Sequence, residues 1–248
     1  MAREGLAPER PPADDSVAFW LKFAIFSVVI VALASAIWAL ASGMLRPGLP
    51  RTALEAKLTL ASEVAATNPS SARAWADYID ALVQTHQYRK AAAVLDQARG
   101  SITEDGVSYL NNSELKLLFA QGRYEDVITT AEEAIKQDDA LRAKKAAELA
   151  KRGITSAEQS VDTANVTEAW LLKAKAQGSL GQWEGAVESL TKALVFDPTA
   201  ADMLTMRGQA YAKLGKNQSA RADFEKALEY IPDWEAARQG LEALGVQP

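Results

Sequence analysis

Cysteine is absent from this 248-residue chain, and histidine occurs once, at His86. The first absence excludes disulfides, thiol nucleophiles and thiolate metal sites. The second excludes a histidine-rich metal centre and a paired-histidine acid/base device. Gly-rich phosphate loops and metal-ligand spacings are missing too. Positive charge is not in excess: 27 Lys and Arg stand against 32 Asp and Glu. A net charge of -5 argues against broad nucleic-acid binding, which needs a basic face to displace counterions. Acidic pairs do occur, as Glu132/Glu133 and Asp138/Asp139. Neighbours on a helix point to different sides, and nothing in the surrounding sequence implies the desolvation that would tune them as acid and base. The expectation is a chain that is not an enzyme, with no catalytic residue, cofactor or metal.

What is present begins with one long uncharged run, Phe23 to Leu45, "FAIFSVVIVALASAIWALASGML". A helix crossing the hydrocarbon core needs about 20 such residues. Trp20 and Trp38 lie near its ends, where indoles favour the headgroup level, and Lys22 can snorkel outward. The run predicts a transmembrane anchor over 19–45, preceded by a polar, proline-rich tail over 1–18 with no fold of its own. A cleaved signal peptide is the rival reading, since Ala39-Leu40-Ala41 has the small-residue pattern of a cleavage site. Against it stand four acids in the leading tail and a run longer than a signal peptide's usual 7–15 apolar residues. Positive charges nearly balance across the anchor: Arg3, Arg10 and Lys22 precede it, and Arg46, Arg51 and Lys57 follow. A short tail, one anchor and a large following domain have the layout of a signal-anchor protein. That layout gives a single-pass membrane protein with a cytoplasmic N-terminus and an extracytoplasmic C-terminal domain. Ser35, Ala39 and Gly43 share one helical stripe, where small side chains would let another membrane helix approach.

Arg46-Pro47-Gly48-Leu49-Pro50 then breaks the helix, making 46–51 a hinge. Beyond it the chain is rich in helix formers and shows no sustained strand alternation. Two stretches ending at Pro198 and Pro232 repeat one pattern 34 residues apart: Trp170 matches Leu204, Gly181 matches Gly215, Ala186 matches Ala220, Leu190 matches Phe224 and Ala193 matches Ala227. A fixed period of this size indicates stacked supersecondary units, here helix, Gly turn, helix, Pro turn. The same frame finds Trp75, Ile79, Leu82, Tyr88, Ala91, Leu95 and Ala98, with His86 at the turn where the other units place glycine. A weaker unit holds Leu115, Leu118, Gly122, Tyr124, Val127, Ala131 and Ala134.

Over residues 167–234 the pattern resembles the tetratricopeptide repeat (TPR) family. Its large, small, aromatic, Ala, aromatic, Ala and Pro positions fall on Leu204, Gly208, Tyr211, Ala220, Phe224, Ala227 and Pro232, and in the preceding unit Gln177 replaces an aromatic. The resemblance implies an all-α chain: a transmembrane helix followed by an α-solenoid over 52–248. The solenoid comprises a half-repeat at 52–69, repeats at about 72–105, 108–141, 167–200 and 201–234, and a closing helix at 233–245. Between Ala134 and Trp170 the period is interrupted, and the segment from about 136 to 165 is expected to extend one helix past the stack and return by a loop; a break at Asp138-Asp139 is the alternative.

Such stacks line a concave groove with the first helix of each unit. By resemblance, the groove would use Arg73, Ala76, Asp80, Val83 and Gln84, then Glu168, Leu171, Lys175, Asp202, Thr205, Met206, Gln209 and Lys213. One subfamily clamps an acidic chaperone C-terminus with Lys and Asn at the places held here by Ala76 and Asp80, so that partner is not expected. The implied function is a membrane-anchored adaptor that binds peptide or helical segments of other proteins and serves an envelope or membrane complex. The alternative is a structural spacer or scaffold subunit, or an assembly factor for cytochrome c maturation or secretion. Because the apolar demand of a membrane is confined to 23–45, a fragment spanning 52–248 is expected to be soluble and helical. Circular dichroism of that fragment checks this; insolubility or a strand-type spectrum would contradict it.

Overall fold

Helices account for nearly every described residue, and their sequence dictates where each stops. The computed structural model describes residues 15–41, 52–154 and 163–245, with the side chains of 15–21, 36–41 and 105 outside the description. The first compact unit, residues 1–56, carries α1, Asp15–Ala41. This helix starts inside the stretch read from sequence as unfolded tail, with Asp15 at its N-terminus, where the helix dipole favours an acid. Its described apolar side chains are exposed, among them Phe26 and Val28. Among the described residues no helix is long and apolar enough to cross a membrane. The side chains described in α1 run only from Lys22 to Ser35, short of the roughly 20 residues a span requires. Ser35 bonds back to the Val31 carbonyl at 2.7 Å; the Ala39 side chain and Gly43 lie outside the described residues.

The second unit, residues 57–248, contains the remainder of α2 (Ala53–Thr67) and then α3 (Ala72–Gln84), α4 (Tyr88–Arg99), a 3-10 turn (Glu104–Gly106) and α5 (Val107–Ala120). It continues through α6 (Tyr124–Lys151), α7 (Ala164–Ser179), α8 (Trp183–Phe196), α9 (Ala201–Lys213), α10 (Asn217–Tyr230) and α11 (Glu235–Ala243). Helices pack on their neighbours in the chain and on the next first helix: α3 on α4 and α5, α7 on α5, α6 and α8, α10 on α9 and α11. No strand occurs among the described residues.

The turns between paired helices share one backbone device. His86, Gly122, Gly181 and Gly215 take φ values of 57°, 73°, 73° and 70°. Glycine enters this left-handed region without cost, and histidine tolerates it better than most residues. His86 bonds to the Tyr88 hydroxyl at 2.7 Å. At the start of α3, Ser71 accepts the Ala74 amide at 3.3 Å, satisfying one of the orphan donors of a helix N-terminus.

Buried side chains form three clusters along the stack. Ile79, Leu82 and Leu95 anchor the first; Leu115, Val127, Val166 and Ala176 the second; Leu190, Leu204, Phe224 and Leu241 the third. Trp170 is half-buried and packs against both the second and the third, tying them together. Trp234 is also half-buried, and its indole N–H donates to Thr205 Oγ1 at 2.9 Å. Gln177, the departure from an aromatic position, is buried and accepts the Ser189 hydroxyl at 2.7 Å. Residues 124–151 form one uninterrupted helix through Asp138-Asp139.

Phe224 is 1% exposed and sits where two glycines meet it. A Cβ at Gly208 would fall 2.7 Å from its ring, and one at Gly240 would fall 2.5 Å away. Phe224→Ala is therefore expected to lower the stability of the C-terminal units by about 3–5 kcal/mol. Val195→Ala, at a residue 71% exposed, should change it by less than about 0.5 kcal/mol. Denaturant titration of both variants, followed by tryptophan fluorescence, checks the contrast.

Candidate functional site

The first helices α3, α5 and α7 are joined side by side by a polar ladder. Asp80 of α3 accepts the Ser113 hydroxyl at 2.7 Å and the Lys116 ammonium at 2.8 Å, both from α5. Lys116 also pairs with Glu168 of α7 at 2.8 Å. Asn112 donates to the other Glu168 oxygen at 3.2 Å and to the Asn165 carbonyl at 3.1 Å. Asn112 and Ser113 are buried, so their polar atoms require these partners. Burial alone would lower the Lys116 pKa, but its bonds and charges with Asp80 and Glu168 outweigh that, and the net shift is upward.

Above the ladder lies a cavity of about 240 Å³, lined among others by Arg73, Asp80, Asn112, Lys116 and Glu168. Glu168 and Ala164 also line a second cavity of about 550 Å³, reaching from α7 to α9, with Thr167, Leu171, Phe196, Asp197 and Met203 in its wall. Four groove residues expected from sequence, Arg73, Ala76, Asp80 and Glu168, thus meet at the first cavity, and Leu171 meets the second.

The other expected groove residues are distributed differently. Gln84 is exposed and accepts the Lys57 ammonium at 3.2 Å. Lys175 is half-buried, and Asp202, Gln209 and Lys213 are exposed on α9. Val83 packs partly on the first cluster. Thr205 requires correction: it is 3% exposed, donates to the Ala201 carbonyl and accepts the Trp234 indole, and so belongs to the interior. Met206 is half-buried against the third cluster, and Leu171 shares its side chain between that cluster and the cavity. The physical reason is the closing helix α11, which packs on α9 and covers a face that unit-by-unit reasoning leaves open. Met203, not Met206, is the methionine beside Leu171 in the cavity wall.

Sequence reasoning missed Asn112, Ser113 and Lys116. A signal for two of them existed: carried from His86 to Gly122, the repeat frame sets Asn112 and Lys116 at the places of Ala76 and Asp80. It also misjudged Asp138, which is 7% exposed, accepts the Ser108 hydroxyl at 2.9 Å and has a pKa raised chiefly by desolvation. Arg142 Nε stands 3.1 Å from its Oδ2, a close ion pair without hydrogen-bond alignment. Farther along, Arg207 of α9 grips Asp223 of α10 through two bonds of 2.8 and 2.7 Å and reaches Thr191 of α8 at 3.2 Å.

The ladder generates a pH prediction. Because the folded-state Lys116 pKa lies above the ordinary 10.5, its contribution is complete below that pH and is lost as pH rises through the folded value. Lys116→Met removes the ammonium and leaves Asp80 and Glu168 without it, at a cost of about 1–3 kcal/mol near neutrality. Urea titrations should show this difference holding from pH 7 to about pH 10 and shrinking above it. A difference that grows with alkaline pH would contradict the ladder.

Two family models match the C-terminal units: one described as TPR repeat over residues 178–215, and one described as tetratricopeptide repeat over 201–234. Among solved structures, the chain is similar to YrrB, described as a TPR protein with an unusual peptide-binding site. The identity is 17%, over 73% of this chain and 97% of that one, with a TM-score of 0.31. It is also similar to BtubC (BKLC) from P. vanneervenii, at 16% identity over 73% of this chain and 92% of that one, with a TM-score of 0.38. The family matches cover the two units whose turns, small residues and buried aromatics are most regular, and over that region the chain carries tetratricopeptide repeats.

Proposed function

We propose that this chain is a protein-binding adaptor that takes peptide or helical segments of other proteins along its first helices, and that residues 23–45 hold it to a membrane where it recruits or assembles a complex. The observation that carries the reading is the pair of adjoining cavities sharing Glu168, which run beside the ladder of α3, α5 and α7 toward α9. The walls mix charged groups with Leu171 and Met203, the composition of a surface that anchors a partner by a few apolar contacts and orients it by polar ones. The membrane part rests on the uncharged run of the sequence and its flanking Trp20, Trp38 and Lys22. In this reading the C-terminal domain faces away from the cytoplasm.

Site-specific photocrosslinking tests the adaptor reading. A photoreactive residue placed at Arg73 or Thr167, along the cavities, should crosslink partner proteins in cells. The same residue at the exposed Lys192 or Lys226, on second helices, should crosslink them much less. Equal crosslinking from both sets would contradict groove binding. Carbonate extraction of the full chain and of the 52–248 fragment tests the anchor: the first should stay with membranes and the second should leave them.

A further inference from the structure

The second cavity has an electrostatic asymmetry that selects its occupant. Two carboxylates, Glu168 and Asp197, stand in its wall with the apolar side chains of Leu171, Phe196 and Met203, and no basic residue is among the described lining residues. Lys116 reaches Glu168 from outside this cavity, but it is shared with Asp80, so those three groups together keep a net negative charge. Arg142 stacks on Phe196 with 5.0 Å to the ring centroid, yet its charge is taken up by Asp138 and Asp139. The Glu168 side chain remains 38% exposed, so its carboxylate is still open to solvent beside the cavity.

From this charge pattern we infer that the cavity between α7 and α9 is a subsite for a lysine or arginine side chain of the bound partner segment; the inference rests on the groove reading above. An uncharged apolar side chain would fit Leu171 and Met203 but would strip water from two carboxylates and leave them uncompensated. An acidic side chain would add repulsion. A basic side chain satisfies both demands: its methylene stem lies along Leu171, Phe196 and Met203, while its charged head meets Glu168 and Asp197. The Phe196 ring adds an attractive face for a cation, as its contact with Arg142 illustrates.

The test uses the full chain, purified in detergent and immobilised, and a phage-displayed library of random twelve-residue peptides. Selected peptides should be enriched in Lys or Arg beside apolar residues. The strongest binder is then synthesised with a fluorophore, in its own form and with its basic residue replaced by norleucine, and measured by fluorescence anisotropy. Norleucine is expected to weaken binding about tenfold. The double variant Glu168→Gln/Asp197→Asn should erase the difference between the two peptides; Asp197→Asn keeps the one oxygen that Thr199 uses, and Glu168→Gln keeps one acceptor for Asn112 or Lys116. Thr167→Trp, which fills the cavity, should abolish binding of either peptide with the thermal melting curve unchanged. Binders without basic residues, or a norleucine loss below about threefold, overturn the cationic subsite and leave the groove standing. No binders at all, or binders indifferent to Thr167→Trp, overturn the groove reading and the subsite together.

Discussion

Three of the helix pairs in this chain close over a side chain no larger than a methyl, standing between the two backbones. Ala91, Ala186 and Ala220 mark that place five residues after the turn in α4, α8 and α10, and each is buried; in α6 the place is held by the buried Val127. Close approach there sets the interaxial distance, and the distance decides how much room is left for a large neighbour such as Leu95, Leu190 or Phe224. Phe224 shows the limit: its ring occupies the space that side chains at Gly208 and Gly240 would need. The turns depend on the same constraint. A pair that packs this closely has only a few residues in which to reverse direction, and the left-handed residue at His86, Gly122, Gly181 or Gly215 makes that reversal possible.

Each pair leaves an apolar face that it cannot bury alone, so stability passes from unit to unit. Trp170 lies where this transmission is most exposed to failure, beside the long helix α6 that interrupts the regular period. Its indole touches both the central and the C-terminal clusters, and Lys173 stands over its ring at 5.2 Å while pairing with Glu132 of α6 at 2.9 Å. The polar ladder performs a related task on the other side of the stack. Asp80, Lys116 and Glu168 come from three successive first helices, so their spacing registers α3, α5 and α7 against one another while leaving charge at the surface of the groove.

Much of the fold was legible because its determinants are local and repeated. A glycine or histidine that must adopt positive φ, an alanine that must be small and a proline that must end a helix each announce themselves within one unit of sequence. The groove was less legible, because its lining depends on contacts between units. Nothing within α9 alone states that Thr205 will receive the Trp234 indole or that Met206 will pack on the third cluster. Asp138 escaped for the same reason: its burial comes from α5, which supplies Ser108, and not from its own helix. Lys116 and Asn112 were within reach of the repeat frame, but their unit is the least regular one, and its weak pattern concealed them.

The irregularity also bears on how such a surface becomes selective. In a perfect repeat every unit would offer its neighbour the same face. Here α5 inserts a single ammonium between two carboxylates, and the 240 Å³ cavity beside it becomes nearly balanced in charge. One unit farther along, Asp197 ends α8 and turns its carboxylate to Thr199, with no base among the described residues of that cavity to offset it. A segment lying across both therefore meets a balanced region first and an acidic, apolar-floored one next. Under the proposed adaptor reading, that order would give the groove a direction, so that a segment carrying one basic residue is held in one orientation and register, while the shared repeat supplies only the scaffold.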